Sequence, residues 1–378
     1  MKSVKSVVSS SSFLKTIVPY FLASRLMLAF VGWTARAFAA PAGNPNLPTR
    51  LTWARFIDMW GRWDTGWYLQ IIRDGYTATA GPESATAFFP LYPYLVGALY
   101  RLLGSPEWPV ALLAVGVVVS NVCFLAALVL MHRLMRLKTG DTAAADRVVL
   151  YLCVAPLSLV FSAFYSESLF LLLTVGAFYA AERGRWGWVA VAVALAAMTR
   201  ATGVLLALPL WFIWWRQWLR DAARGRDALA PLAGILGLLA FMLILWRVVG
   251  DPLAFMRAGA AWGSRTAWPW QAFTSPFIQT TIHSLNIGLT LLTIALSLAA
   301  WRFGLAYVAW GLVCAVGPLV LKGNLGSMSR YVVVAFPAFM ALSALVAGRP
   351  RLHDAVVVAS SGVLRLMMAL WVHHYFVV

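Results

Sequence analysis

The chain is short of charge, of acid and of cysteine, and each shortage excludes a class of protein. Only 11% of its 378 residues are charged and 62% are hydrophobic, where a soluble domain has about 25% and about 45–50%. A soluble globular protein is therefore excluded, and the composition is that of a polytopic membrane protein. Acidic residues number 13 against 30 lysines and arginines, giving a net charge of +17. The cations sit in short loops between apolar runs, as the positive-inside rule requires, so the excess does not point to nucleic acid. Cys123, Cys153 and Cys314 all fall inside apolar runs, where a free thiol acts as a small hydrophobe. Neither a disulfide framework nor a zinc spacing is present. His283, His353 and the pair His373-His374 have no partners at metal-ligand spacing, so they predict no protein-bound metal; no cofactor is expected, and a divalent metal stays open. A phosphate-cradling glycine loop is missing from the cytoplasmic side, which argues against ATP or a nucleotide sugar as direct substrate.

What the chain does have is apolar runs, near 17–40, 108–131, 147–164, 168–182, 187–199, 202–215, 228–248, 285–301, 304–321, 331–348 and 355–376. The first resembles a signal peptide, with lysines before it and Ala37-Phe-Ala-Ala40 at its end. It is longer than the roughly 7–15 residues of a signal h-region, which favours an uncleaved span. Phe88–Leu103 is ambiguous between a span and an interfacial helix. If it spanned, the basic loop at 132–147 and every later basic loop would fall outside, against the positive-inside bias. The expected fold is an all-α polytopic bundle of about eleven transmembrane helices. In it the amino terminus is inside and residues 41–107 form one long extracytoplasmic loop carrying interfacial helices. Residues 1–378 are taken as a single transmembrane domain.

That orientation uses only lysine and arginine, yet it puts almost every unusual polar cluster on the outer side. These are Trp63-Asp64, Phe88–Pro93, Tyr165–Ser168, Thr199–Gly203, Gly250–Phe255 and Lys322–Tyr331. In the first, Trp53, Phe56, Trp60, Trp63 and Trp67 recur at spacings of three and four, predicting one helix over 53–68 with an aromatic face. Asp58 and Arg62 share the opposite face and pair as a solvated couple. Asp64 lies roughly 40° from the centre of the aromatic face, at about 100° per residue. A carboxylate there suits a general base that deprotonates an acceptor hydroxyl in glycosyl transfer, with Trp63, Trp67 and Tyr68 stacking on a sugar. It equally suits an interfacial aromatic belt with an incidental acid.

The other clusters carry the same two readings. Glu167 sits at membrane depth, where ionisable groups face a cavity or a partner, or else it is a turn residue reaching water. Arg200 interrupts an apolar run at a hairpin tip, as a phosphate ligand or a snorkelling side chain. Asp251 lies in Gly-Asp-Pro, a good turn sequence. Lys322 and Arg330 are candidates for an anionic group, or ordinary loop cations.

Taken in order, these motifs resemble the PIG-V-like membrane mannosyltransferases of the GT-C glycosyltransferase superfamily. The resemblance rests on Arg62-Trp-Asp-Thr-Gly-Trp-Tyr68 with Gly75-Tyr76, and on Ala87-Phe-Phe-Pro-Leu-Tyr-Pro93. It continues through Phe164-Tyr-Ser-Glu-Ser168, Thr199-Arg-Ala-Thr-Gly203, Gly250-Asp-Pro-Leu-Ala-Phe255 with Trp262, and Ser329-Arg-Tyr331 with Pro337. It implies a polyprenyl-phosphate-linked mannose as donor, an inverting transfer on the outer side and the first-loop aspartate, here Asp64, as base. The acceptor is a lipid or a glycan. The compact, alanine- and arginine-rich chain with short loops looks like a bacterial plasma-membrane member. A transporter or flippase of a lipid-linked sugar is the alternative, though the inverted repeats of many transporters are not visible.

Overall fold

The computed structural model describes residues 13–38, 51–77, 84–261, 263–274 and 282–377. Trp262 and the 39–50 part of the outer loop lie outside the described residues. Among the described residues there is helix but no strand. In chain order the α-helices are α1 (Val18–Phe38), α2 (Arg55–Asp58), α3 (Thr65–Asp74), α4 (Leu91–Leu102), α5 (Val110–Thr139), α6 (Thr142–Val154), α7 (Glu167–Glu182) and α8 (Trp186–Thr199). They continue as α9 (Ala207–Trp218), α10 (Ala233–Val249), α11 (Ala254–Ala261), α12 (His283–Ala299), α13 (Leu305–Lys322), α14 (Met328–Val333), α15 (Phe336–Leu345) and α16 (Pro350–Val372).

Six helical stretches among the described residues are long and apolar enough to cross a membrane: Lys15–Phe38, Val110–Thr139, Gly225–Val249, His283–Phe303, Leu305–Lys322 and Pro350–Val372. Between them lie shorter apolar helices that pack inside the bundle. The most extensive helix pairings are α5 with α7, α7 with α8 and α8 with α10. The ambiguous segment forms α4, whose 12 residues rise about 18 Å, too little for a bilayer core of about 30 Å. It lies against α3 and α5 instead.

Antiparallel neighbours bring opposite helix ends together, and the two ends of the bundle carry different chemistry. At one end Lys138 and Arg216 both pair with Glu182, at 2.9 and 2.6 Å, and the Tyr307 hydroxyl donates to the same carboxylate. This brace joins α5, α7, α9 and α13. At the other end the C-termini of α1, α8 and α13 meet the N-terminus of α7 and the outer-loop helices, and the polar clusters collect there. Between the two ends Arg25 of α1 is buried and donates to Cys153 O, Ser158 O, Ser158 Oγ and Ser162 Oγ at 2.7–3.1 Å. It thereby fixes the irregular segment that leads to α7.

Candidate active site

The stretch 53–68 is not one helix. α2 stops at Asp58, the chain turns, and α3 begins at Thr65 with Asp64 as its N-cap residue. Gly61 sits in the break, where a Cβ would come 2.9 Å from Leu51 Cδ1, so a larger residue would have to push that side chain aside. Trp63 takes a left-handed φ of +49°, a costly backbone state that persists only where its surroundings impose it. The single aromatic face is lost accordingly. Trp53 and Phe56 are exposed while Trp60 is buried in the core.

Asp58 is also not solvated. It pairs with Arg62 as expected, at 3.2 Å, and with Arg36 of α1, and it is fully buried. Its other oxygen accepts from Leu51 N (2.6 Å) and Thr52 N (3.0 Å). Arg62 Nη1 also donates to Asp58 O and Gly61 O. Burial pulls its guanidinium down to about 10, with the Asp58 carboxylate opposing that shift, so it stays charged at neutral pH. This hub holds the turn that presents Asp64.

The turn is stitched to the segment before α7. Phe164 N donates to Trp60 O (3.0 Å), and the Tyr165 hydroxyl donates to Arg62 O (3.2 Å) and accepts from Asp64 N (3.3 Å). Asp64 and Glu167 thereby come to the same place, and Arg330 of α14 lies between them. Its Nη1 pairs with Asp64 Oδ2, its Nε stands 3.1 Å from Glu167 Oε1, and its guanidinium lies over the Tyr165 ring at 4.9 Å. Arg200, the residue after α8, reaches the same Glu167 oxygen at 2.5 Å. Gly203 lets the following 3-10 turn close on α8, since a Cβ there would lie 2.4 Å from the Ala196 backbone. Tyr331 lies under both Arg200 (4.8 Å) and Lys322 (5.4 Å).

These groups surround a cavity of about 320 Å³ walled by Asp64, Tyr68, Arg200, Lys322, Arg330 and Tyr331, with Phe88, Phe89 and Phe376 as apolar lining. The Tyr68 hydroxyl donates to Ser166 Oγ at 3.1 Å. Burial, reinforced by Glu167 and Asp64, pushes that phenol far above its ordinary range, so it acts as a neutral donor. Three cations face two carboxylates, which leaves one positive charge for a ligand. Glu167 Oε2 is buried with no hydrogen-bond partner among the described residues.

The profile of the Mannosyltransferase (PIG-V) family matches residues 6–260. The chain belongs to that family. Two curated relatives are the GPI alpha-1,6-mannosyltransferase 2 of Rattus norvegicus and of Mus musculus. The rat protein is 31% identical over 228 residues, which is 59% of this chain and 44% of the rat protein. The mouse protein is 32% identical over 201 residues, covering 52% and 39%. The matched stretch thus spans less than half the length of these relatives. Among solved structures, the Archaeoglobus fulgidus oligosaccharyltransferase tethered to an acceptor peptide has a TM-score of 0.51 at 12% identity, over 97% of this chain and 56% of that one. The archaeal oligosaccharyltransferase AglB, with an inhibitory peptide and a dolichol-phosphate, also gives 0.51, at 11% identity, over 94% and 56%. At such identity the likeness speaks for the fold alone, which is of the GT-C type.

In this PIG-V family member the structure brings Asp64, Tyr68, Glu167, Arg200, Lys322 and Arg330 together, and leaves three expected residues aside. Trp63 and Trp67 line a separate cavity. Asp251 makes a turn, accepting from Leu253 N at 3.0 Å and pairing with Arg257. Among the described residues no group of three His, Cys, Asp or Glu side chains could hold a metal ion. Sequence reading passed over Tyr165, Tyr331 and Ser264. The first two flank Glu167 and Arg330 in motifs already noted, and adjacency to an unusual charge was the available signal.

Proposed function

We propose that this protein is a membrane mannosyltransferase that takes its sugar from a polyprenyl-phosphate donor and transfers it, with inversion, to an extracytoplasmic acceptor. The observation that carries the proposal is the cavity around Asp64 with its surplus of one positive charge. A phosphodiester carries one negative charge, and Arg200, Arg330 and Lys322 surround the space it would fill. Guanidinium groups match phosphate oxygens in shape and charge, and such cations stabilise a departing lipid phosphate without a metal. The dolichol-phosphate in the archaeal neighbour supports a lipid-linked donor. The Arg330 guanidinium is shared between Asp64 and Glu167. A donor phosphate draws it off, and Asp64 is then free to take the proton of the acceptor hydroxyl. The cation-rich loops at the Glu182 end of the bundle support placing that end in the cytoplasm of a bacterial plasma membrane, with the Asp64 end outside.

The test is to incubate the purified protein with radiolabelled polyprenyl-phosphate mannose and a membrane lipid extract. Labelled product is expected, and Asp64→Asn should lower its rate by at least about 100-fold with folding intact, the usual weight of a general base. Donor binding without any product would favour a carrier of lipid-linked sugar. Transfer should persist in EDTA. Loss rescued by manganese would overturn the metal-free leaving-group step.

A further inference from the structure

Tyr68, Tyr165 and Tyr331 all stand at the Asp64 site, and two of the three hydroxyls are committed. That of Tyr68 donates to Ser166 Oγ, and that of Tyr165 donates to Arg62 O and accepts from Asp64 N. Tyr331, the residue after Arg330 in α14, lines the cavity and differs from both. Its hydroxyl makes no hydrogen bond among the described residues. Nor is that oxygen one of the buried atoms left without a partner, and the side chain is only partly buried. The Tyr331 hydroxyl is therefore free and open to the cavity.

The surroundings of that hydroxyl are cationic. The Tyr331 ring lies under the Arg200 guanidinium at 4.8 Å and the Lys322 ammonium at 5.4 Å, and Arg330 precedes it in the chain. Glu167 also holds Arg200. Lys322 forms no ion pair among the described residues: its ammonium donates to Gly326 O at 3.2 Å and otherwise rests on the ring. Burial alone would raise the Tyr331 phenol, but Lys322, Arg200 and Arg330 outweigh it and hold the group below its ordinary value. Tyr68, in the same cavity but beside Glu167 and Asp64, is moved the opposite way. Tyr331 thus has the surroundings of an anion site. A phosphate drawn to these cations meets an O–H that serves no protein group, and an O–H on an anionic oxygen makes one of the stronger hydrogen bonds.

We propose that Tyr331 is a ligand of the donor phosphate, its hydroxyl donating to the anion that Arg200, Lys322 and Arg330 attract. The inference rests on the transferase reading for the identity of that anion, but binding tests it without turnover. Dissociation constants for farnesyl phosphate, and for farnesol as its uncharged counterpart, would be measured by isothermal titration calorimetry on wild type, Tyr331→Phe and Tyr331→Leu. Phenylalanine keeps a ring under Arg200 and Lys322 and removes only the hydroxyl, whereas leucine removes both. Tyr331→Phe should bind farnesyl phosphate about tenfold or more weakly, the weight of one hydrogen bond to a charged group. Its affinity for farnesol should be unchanged, which also shows the fold to be intact. Tyr331→Leu should lose at least as much, since the cation–π support goes too. Wild-type affinity of Tyr331→Phe for farnesyl phosphate overturns the inference. So does an equal loss for farnesol, the mark of a merely structural role. A wild-type protein that does not bind farnesyl phosphate would overturn the donor reading, and the inference with it. A wild type that binds it through Tyr331 but transfers no label would keep the phosphate ligand and discard the transferase.

Discussion

Among the described residues, Arg330 alone pairs with both carboxylates of the site. A guanidinium can serve two acids at once because its donors form a rigid planar fork, whereas an ammonium is a single flexible point charge. Arg330→Lys therefore keeps the charge and loses the bridge. The expected result is a protein that still binds donor but whose kcat falls by about tenfold or more, the loss of one well-placed charged hydrogen bond. An unchanged kcat would show that positive charge alone is needed. At this scale the sequence was informative about Asp64, Glu167, Arg200, Lys322 and Arg330, because charge in apolar surroundings is costly and stands out. It misled on Asp58, read as solvated but buried against Arg36 of α1, and on the direction of Trp63, which depends on a backbone angle that no residue type announces.

Among the elements, the stretch 53–68 shows how periodicity misleads. Tryptophans spaced at three and four satisfy a helical pattern, yet they are divided among the exposed surface, the core and a cavity. The break is set by the Asp58 hub, which involves parts of the chain outside the window. Asp58→Asn leaves Arg36 and Arg62 without a full counter-charge in a buried place. A loss of about 3–5 kcal/mol is expected, as for other broken buried pairs. It should be read as a lowered midpoint in a thermal assay by size-exclusion fluorescence. A midpoint equal to wild type would mean that the hub contributes little to holding the turn. The nature of α4 was legible from the distribution of loop cations and not from its own residues, which fitted a span and an interfacial helix alike.

The whole molecule separates its duties between its two ends. The charge census in the sequence assigned nearly all the polar clusters to one side, and around the Asp64 cavity the structure gathers residues from five of them. Alternating helices make that possible, because loops on one side of a bundle are neighbours whatever their order. What could not be read was the brace on Glu182 at the far end, where Lys138, Arg216 and Tyr307 come from helices distant in the chain. Glu182→Gln should cost about 2 kcal/mol, discounted from a fully buried pair because Arg216 is partly exposed. It should lower the thermal midpoint and leave the KM for donor unchanged. A shifted donor KM would mean that the two ends are coupled.

The stitch between the outer turn and the start of α7 has a consequence in chain entropy. Tyr165 and Arg62 are 103 residues apart in sequence, and closing a loop of that length costs about 4 kcal/mol. That cost falls once, on whichever contact forms first. With Phe164 bonded to Trp60, the hydrogen bonds from Tyr165 to Arg62 and from Asp64 to Tyr165 close no further loop. The contacts therefore form and break as a group. A carboxylate carried on the long outer loop is thereby tied to the start of α7, and Asp64 and Glu167 are either both in register or both out of it.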